Sequence, residues 1–199
     1  MSARTHRPFS VCVFAASSPV AAPELKEAAA ALGRILAREN ARLVYGGGGF
    51  GLMGACAKAA HEAGGEVLGI IPGFLTEIEG AYTEVPTIVV ANMHERKMRM
   101  FEESDAFVVM PGAIGTLEEA IELLSWRRLA LHDKPIVFYN PDGFWGRLFD
   151  LFEQFIEARL APVEFRDCWD QVDTVEALLP TLRAQPAGSP AVIPLAQTS

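Results

Sequence analysis

The sequence predicts an α/β fold in one domain, a mostly parallel sheet covered by helices on both faces. Three observations carry that prediction. Short apolar runs alternate with longer stretches of helical periodicity along most of the chain, the pattern of repeated strand–helix units. Glycines follow several of the apolar runs, as at Gly46 to Gly49 and at Gly112, where a strand must turn sharply into a helix. With 199 residues, half of them hydrophobic, the chain can bury one substantial core but not two.

Each element follows from its local pattern. Residues 9–14 read as the first strand, and residues 23–39 as an alanine-rich helix with Leu25, Leu32, Ile35 and Leu36 at helical spacing. Arg42–Tyr45 is a short strand running into four glycines. Residues 52–63 form a small-residue helix stopped by Gly64 and Gly65. Residues 66–71 and Thr87–Val90 are strands, 92–103 is helical, 105–110 is a strand and 117–131 a long helix. Another strand at 135–139 precedes a helix at 143–159, and a last helix at 174–183 is disturbed by Pro180. Residues 1–7 and 185–199 lack periodicity and are expected to be flexible tails around a domain at 8–184.

Composition narrows the function. The net charge of −8 argues against a nucleic-acid polymer as partner, because backbone phosphates need an excess of Lys and Arg on one face. A small anion stays compatible, since the local field of a pocket can oppose the global charge. No stretch approaches the roughly 18–20 apolar residues of a membrane span. Arg4, His6 and Arg7 precede only a short apolar run, unlike a secretory leader. Cys12, Cys56 and Cys168 are scattered, which fits a reducing cytoplasm. His6, His61, His94 and His132 lack zinc-ligand spacing, and His61 and His132 are expected on helix surfaces. Neither a Walker A sequence nor a G-x-S-x-G nucleophile turn is present.

The most informative stretch is residues 111–119, Pro-Gly-Ala-Ile-Gly-Thr-Leu-Glu-Glu, between a strand and a helix. Such a junction is an anion site, because unpaired N–H groups point outward and the helix dipole favours negative charge. Thr116 and Glu119 also have the spacing of a chemically idle capping box. Glu118 and Glu119 cannot both make the reciprocal cap, so one carboxylate is left to face a ligand. Upstream, Asn92 and Glu95 read as a capping pair, whereas Arg96 and Lys97 place cations in a first turn whose dipole opposes them. A solvated basic face and a functional demand for positive charge both fit. The Gly49-Phe-Gly51-Leu-Met-Gly54 segment matches G-x-G-x-x-G, yet it follows the second strand and no acidic residue for a ribose stands about 20 residues on. The glycine turn is expected to pack tightly and to line a phosphate pocket at Gly47 and Gly48, with Ser17 and Ser18 adding donors.

Three segments together, residues 45–54 (Tyr-Gly-Gly-Gly-Gly-Phe-Gly-Leu-Met-Gly), 93–97 (Met-His-Glu-Arg-Lys) and 111–119, resemble the signatures of the LONELY GUY family. These are cytokinin riboside 5′-monophosphate phosphoribohydrolases, some of them long labelled lysine decarboxylases. Nothing here marks a lysine as a pyridoxal-phosphate Schiff-base site. The resemblance spans roughly residues 9–160 and implies a Rossmann-like doubly wound parallel sheet, a homodimer, and cleavage of a nucleoside 5′-monophosphate without cofactor or metal. It implies catalytic roles for Arg96 and Glu119, and a nucleotide site lined by Glu79, Lys97, Gly112, Ala113, Gly115, Thr116, Glu118 and Ser125. Two positions depart from the family pattern: Ala113 stands at the motif's second glycine, and Gly49 where a serine usually follows three glycines. The implied chemistry is hydrolysis through an oxocarbenium-like ribosyl transition state, with Glu119 stabilising positive charge or activating water. Arg96 would hold phosphate or ribose, with Lys97 assisting. The alternatives are a general purine nucleoside-monophosphate nucleosidase and a non-catalytic nucleotide- or cofactor-binding protein.

Overall fold

The structure, a computed structural model, describes residues 7–185. Strands β1 (Ser10–Phe14), β2 (Arg42–Tyr45), β3 (Val67–Pro72), β4 (Thr87–Val90), β5 (Ala106–Val109), β6 (Ile136–Tyr139) and β7 (Asp170–Val172) form one sheet. Its order is β4-β3-β2-β1-β5-β6-β7, and every pairing is parallel. Helices α1 (Pro23–Arg38), α2 (Gly51–Glu62), α3 (Met93–Glu102), α4 (Ile114–Arg128), α5 (Gly146–Glu157) and α6 (Val175–Ala184) cover both faces.

The inner strands β1, β2, β3, β5 and β6 are buried on both sides, which is why they read as largely continuous apolar runs. Alternate side chains of β1 enter different cores: Val11 and Val13 pack with α1, α2 and α6, while Cys12 and Phe14 pack with α3, α4 and α5. The β5 run splits in the same way, with Val108 on the first face and Phe107 and Val109 on the second. Each fully buried Leu, Val or Phe of these layers contributes about 1.5–3 kcal/mol. No helix of the described residues is long and apolar enough to cross a membrane.

From central β1 the chain winds outward through β2, β3 and β4, then crosses back to β5 on the other side. The loops leaving β1 and β5 therefore diverge and open a crevice at the carboxyl ends of the strands, the usual ligand position in such sheets. Arg42–Tyr45 and Thr87–Val90 are strands as expected, and the other expected elements are found with shifted ends. Three details differ from the sequence expectation. Helix α4 starts at Ile114, three residues early; β7 and the 3₁₀ turns at Gly73–Leu75 and Val163–Cys168 carry no apolar run to announce them. His132 is buried against Phe101 and Phe107 instead of lying on a helix surface. Of the expected tails, residues 1–6 and 186–199 lie outside the described residues. Arg7 is held by Asp105 at 2.8 Å, and Gln185 by Asp170.

Candidate active site

The crevice is a cleft of about 430 Å³. Its walls come from the loop after β1 (Ala15 to Ser18), the 74–79 loop, the first turn of α3 and the start of α4. Arg96, Glu119, Glu79, Ala113, Gly115, Thr116, Glu118, Ser17 and Ser18 line it together, from four separate stretches of sequence. Gly112, Gly47, Gly48, Lys97 and Ser125 lie outside that lining. Ser125 sits on the exposed face of α4, and Gly112 packs beneath Thr116, where a Cβ would stand 2.2 Å from Oγ1.

Arg96 is 3 % exposed, so it is no solvated basic residue. Asn92 caps α3 by accepting from the Glu95 N–H at 2.9 Å, and the Glu95 carboxylate reaches back to the Ala91 N–H at 2.9 Å. That cap fixes the first turn and aims Arg96 inward. One Arg96 Nη2 donates to the Gly46 carbonyl at 2.9 Å and lies 3.4 Å from Glu79 Oε2. Its Nε is buried and has no hydrogen-bond partner among the described residues. Gly46 is necessary here: a Cβ would stand 2.0 Å from Nη2.

Glu119 stands in the second turn of α4 and makes no hydrogen bond or ion pair among the described residues. Burial, the largest cause, pushes its pKa up from 4.5 to about 7; Arg96 and Lys97 pull it down, while Glu118 and Glu79 push it further up. A carboxylate poised there exchanges protons at neutral pH. Thr116 and Glu119 do not form a capping box. The N-cap is Ala113, which has no side chain to cap with, and Thr116 is already the third helical residue. The first N–H groups of α4 thus stay unclaimed at the cleft, as an anion site requires. Ala113 has φ −101°, so this departure from the glycine pattern carries no backbone strain.

The glycine turn after β2 is occupied differently from the expectation. The Gly49 N–H donates to Gly80 O at 2.8 Å, the Tyr82 N–H to Gly47 O at 3.1 Å, and Gly48 bridges Ala81. The turn thereby holds the loop that carries Glu79, Phe74 and Leu75. At the start of α2, the N–H groups of Leu52 and Met53 donate to Ala16 O at 2.9 and 3.1 Å. Phe74, Leu75, Met53 and Met93 supply an apolar part of the lining that sequence reasoning missed. Met93 is one helical turn before Arg96 and so was findable; Phe74 and Leu75 sit in a loop without periodicity.

Lys97 is engaged elsewhere. Its Nζ bonds the Glu118 carboxylate and lies 3.1 Å from Glu122 Oε2. Partial burial works against its charge, but the two carboxylates outweigh that and raise its pKa.

Comparisons with known proteins agree with this layout. The sequence profile of a family described as "Possible lysine decarboxylase" matches residues 53–182. The chain is 46% identical over 150 residues to cytokinin riboside 5′-monophosphate phosphoribohydrolase LOG5 of Arabidopsis thaliana, covering 74% of this chain and 65% of that one. It is 38% identical over 175 residues to a probable cytokinin riboside 5′-monophosphate phosphoribohydrolase, LOG4, of Oryza sativa subsp. japonica, covering 87% and 76%. Among solved structures, the molybdenum cofactor binding protein of Rippkaea orientalis shares the fold with a TM-score of 0.68 at 23% identity, over 90% of this chain and 98% of that one. The Moco carrier protein of Chlamydomonas reinhardtii shares it at 0.67 and 22%, over 90% and 100%. With the three glycine-bearing and charged segments in one cleft and relatives at this identity, the chain belongs to the LONELY GUY family of cytokinin riboside 5′-monophosphate phosphoribohydrolases.

Proposed function

We propose that this chain hydrolyses the N-glycosidic bond of N6-modified adenosine 5′-monophosphates, releasing the free base, a cytokinin, and ribose 5-phosphate. One observation carries the reading: Glu119, unpartnered and with its pKa near 7, shares a cleft with the buried Arg96. The curated relatives bear the name of this activity.

Water adds across the bond between the anomeric carbon and the base nitrogen. Its oxygen joins the sugar; one proton stays on the new hydroxyl and the other ends on the base. In its ionised form Glu119 stabilises positive charge developing on the ribosyl ring and takes the proton from the attacking water. Arg96, with its fixed fork of guanidinium donors, orients the sugar phosphate. The open start of α4 at Ala113, Gly115 and Thr116 receives the 5′-phosphate, and that remote binding orients the reacting centre. Glu79 and the Ser17 and Ser18 hydroxyls line the same cleft. Phe74, Leu75 and Met93 offer the apolar surface that a modified base needs.

The reading includes a cytoplasmic homodimer. Its support is three buried free cysteines, and the exposed Ile114, Ile121 and Leu129 along α4.

Chromatography of the bases released from AMP and from N6-isopentenyladenosine 5′-monophosphate tests the proposal. Higher kcat/KM on the isopentenyl substrate is expected. Equal or better turnover of AMP makes the chain a general nucleosidase, and tight binding with no base released makes it a carrier.

A further inference from the structure

Three cysteines and six methionines supply the sulfur of this chain, and their burial divides them. Cys12, Cys56 and Cys168 are all buried. Burial chiefly pushes each thiol up, Cys56 to about 12 and Cys168 to about 11. Thiols so placed offer an oxidant neither a thiolate nor access. Met100 and Met110 are buried as well, Met53 is 7 % exposed, and Met98 is half-buried. Met93, at 37 % exposed, is the most accessible sulfur side chain among the described residues.

The position of that sulfur gives its exposure a consequence. Met93 opens α3 and lines the cleft, one helical turn before Arg96. Within the guanidinium, Nη2 donates to Gly46 O and lies near Glu79. Nη1 meets a single acceptor among the described residues, the Met93 Sδ at 3.8 Å. A thioether sulfur is a weak acceptor, so it holds that N–H loosely. An oxygen acceptor brought to Nη1 displaces it. The exposed sulfur and the buried cation of the cleft are therefore in direct contact.

We propose that Met93 is a site of reversible oxidation, and that its sulfoxide turns down the hydrolysis proposed above by engaging Arg96. The inference rests on that reading of the site. The oxidant is a small oxygen donor, of which hydrogen peroxide is the simplest. The sulfur lone pair attacks one peroxide oxygen, and the O–O bond breaks. The departing hydroxide takes the proton from the transferred oxygen and leaves as water. Sulfur loses two electrons and the peroxide gains them. The product carries an S–O dipole where the apolar thioether stood. Its oxygen is a strong acceptor on the atom that already touches Nη1, so it occupies that donor and competes with the oxygens of the substrate. It also turns polar a wall that the modified base needs apolar. Reduction of the sulfoxide restores both features.

Titration of the full chain with hydrogen peroxide tests the switch. Peptide mass spectrometry and base release from N6-isopentenyladenosine 5′-monophosphate are followed on the same samples. Met93 should gain an oxygen before Met53, Met98, Met100 or Met110. As it does so, kcat/KM should fall about 10–100-fold, as displacement of an orienting group does. The sulfoxide reductases MsrA and MsrB together should return the rate. Met93→Leu, compared with its own untreated rate, should keep most of its activity under the same peroxide. Met98→Leu should lose activity as the parent does. If circular dichroism shows Met93→Leu unfolded, the reductases decide: activity that stays low after Met93 is reduced overturns the proposal. Parental sensitivity in a folded Met93→Leu overturns it too, as does unchanged kcat/KM with Met93 fully oxidised. Activity lost while Met93 stays a thioether has the same meaning. A parent that releases no base refutes the hydrolytic reading instead. The AMP affinity of Glu119→Gln then decides the switch: a loss of about tenfold on oxidation of Met93 upholds it, and no loss ends it.

Discussion

The guanidinium of Arg96 occupies the space where Gly46 lacks a side chain, donating to the Gly46 carbonyl at 2.9 Å. These residues are fifty positions apart, yet a Cβ on one would stand 2.0 Å from the other. Gly46→Ala must therefore expel the guanidinium or shift the turn. Overpacking of this sort costs about 1–3 kcal/mol of stability. Displacing Arg96 should also lower kcat/KM roughly 10²-fold, the usual effect of a misplaced orienting group. Thermal melts and base-release assays check both; a variant that turns over at the parental rate would show that Arg96 need not sit there.

For Glu119 the pH dependence follows from its raised pKa. The ionised form is the reactive one, so kcat should rise with pH through about 7 and level off above. Glu119→Gln should remove that limb and lower kcat roughly 10²–10⁴-fold. The stability sign runs opposite. A carboxyl whose pKa is 4.5 unfolded and about 7 folded makes the fold less stable as pH rises through that window. Glu119→Gln should consequently melt higher than the parent at pH 8, with the advantage vanishing by about pH 4.5. Equal melting temperatures at pH 8 would contradict the burial of the charge.

What the sequence disclosed depended on how local its cause was. Strands β1 and β5 were legible because burial on both faces leaves an apolar run. Edge strand β7, with Asp170 and Gln171 exposed, carries no such run. The start of α4 was misleading for a functional reason. Thr116 and Glu119 imitate a capping box, but the helix begins at Ile114 with no side-chain cap and leaves its N–H groups open to the cleft. Local rules fail where a site needs them to. The burial of Arg96 was illegible because it depends on Gly46, which the fold alone brings near. Phe74 and Leu75 gave no signal, since a loop's reach is set by what pins it.

His132 makes stability sensitive to mild acid. The Lys134 N–H donates to Nδ1 at 3.1 Å, so that nitrogen carries no proton, and Nε2 donates to Leu123 O at 3.0 Å. A second proton would face the Lys134 N–H. Burial chiefly, with Arg127 and Lys134 adding to it, holds the imidazole pKa below 6.5 despite the Leu123 bond. The unfolded chain thus binds a proton more readily than the folded one below pH 6.5. The stability that neutral His132 provides is present above pH 6.5 and declines as pH falls toward its lowered value. Glu119 works in the opposite sense over the same window, so the comparison is with the variant: as pH falls from 8 to 5 the melting temperature of the parent should lose ground relative to that of His132→Gln. An identical slope in the variant would assign the acid sensitivity to other groups.

Gly49 stands where the family pattern has a serine, and the fold has closed on the missing side chain. Its N–H bonds Gly80 O at 2.8 Å, and a Cβ at this position would lie 2.5 Å from that same oxygen. Gly80 has φ +58° with Phe50 packed over it, so neither end of the contact yields easily. Gly49→Ser would push the 79–82 segment off the glycine turn, breaking the bridge between Gly48 and Ala81 and drawing Glu79 away from Arg96. The substitution that restores the family residue should therefore impair this chain. The expected result is a rise in KM of roughly tenfold, from a disordered cleft wall, with a smaller fall in kcat because Glu119 and the start of α4 are untouched. Hydrogen exchange at Ala81 and Tyr82 should quicken in parallel, reporting the released loop. Parental kinetics with unchanged exchange would mean that the loop holds its place without the Gly49 contact.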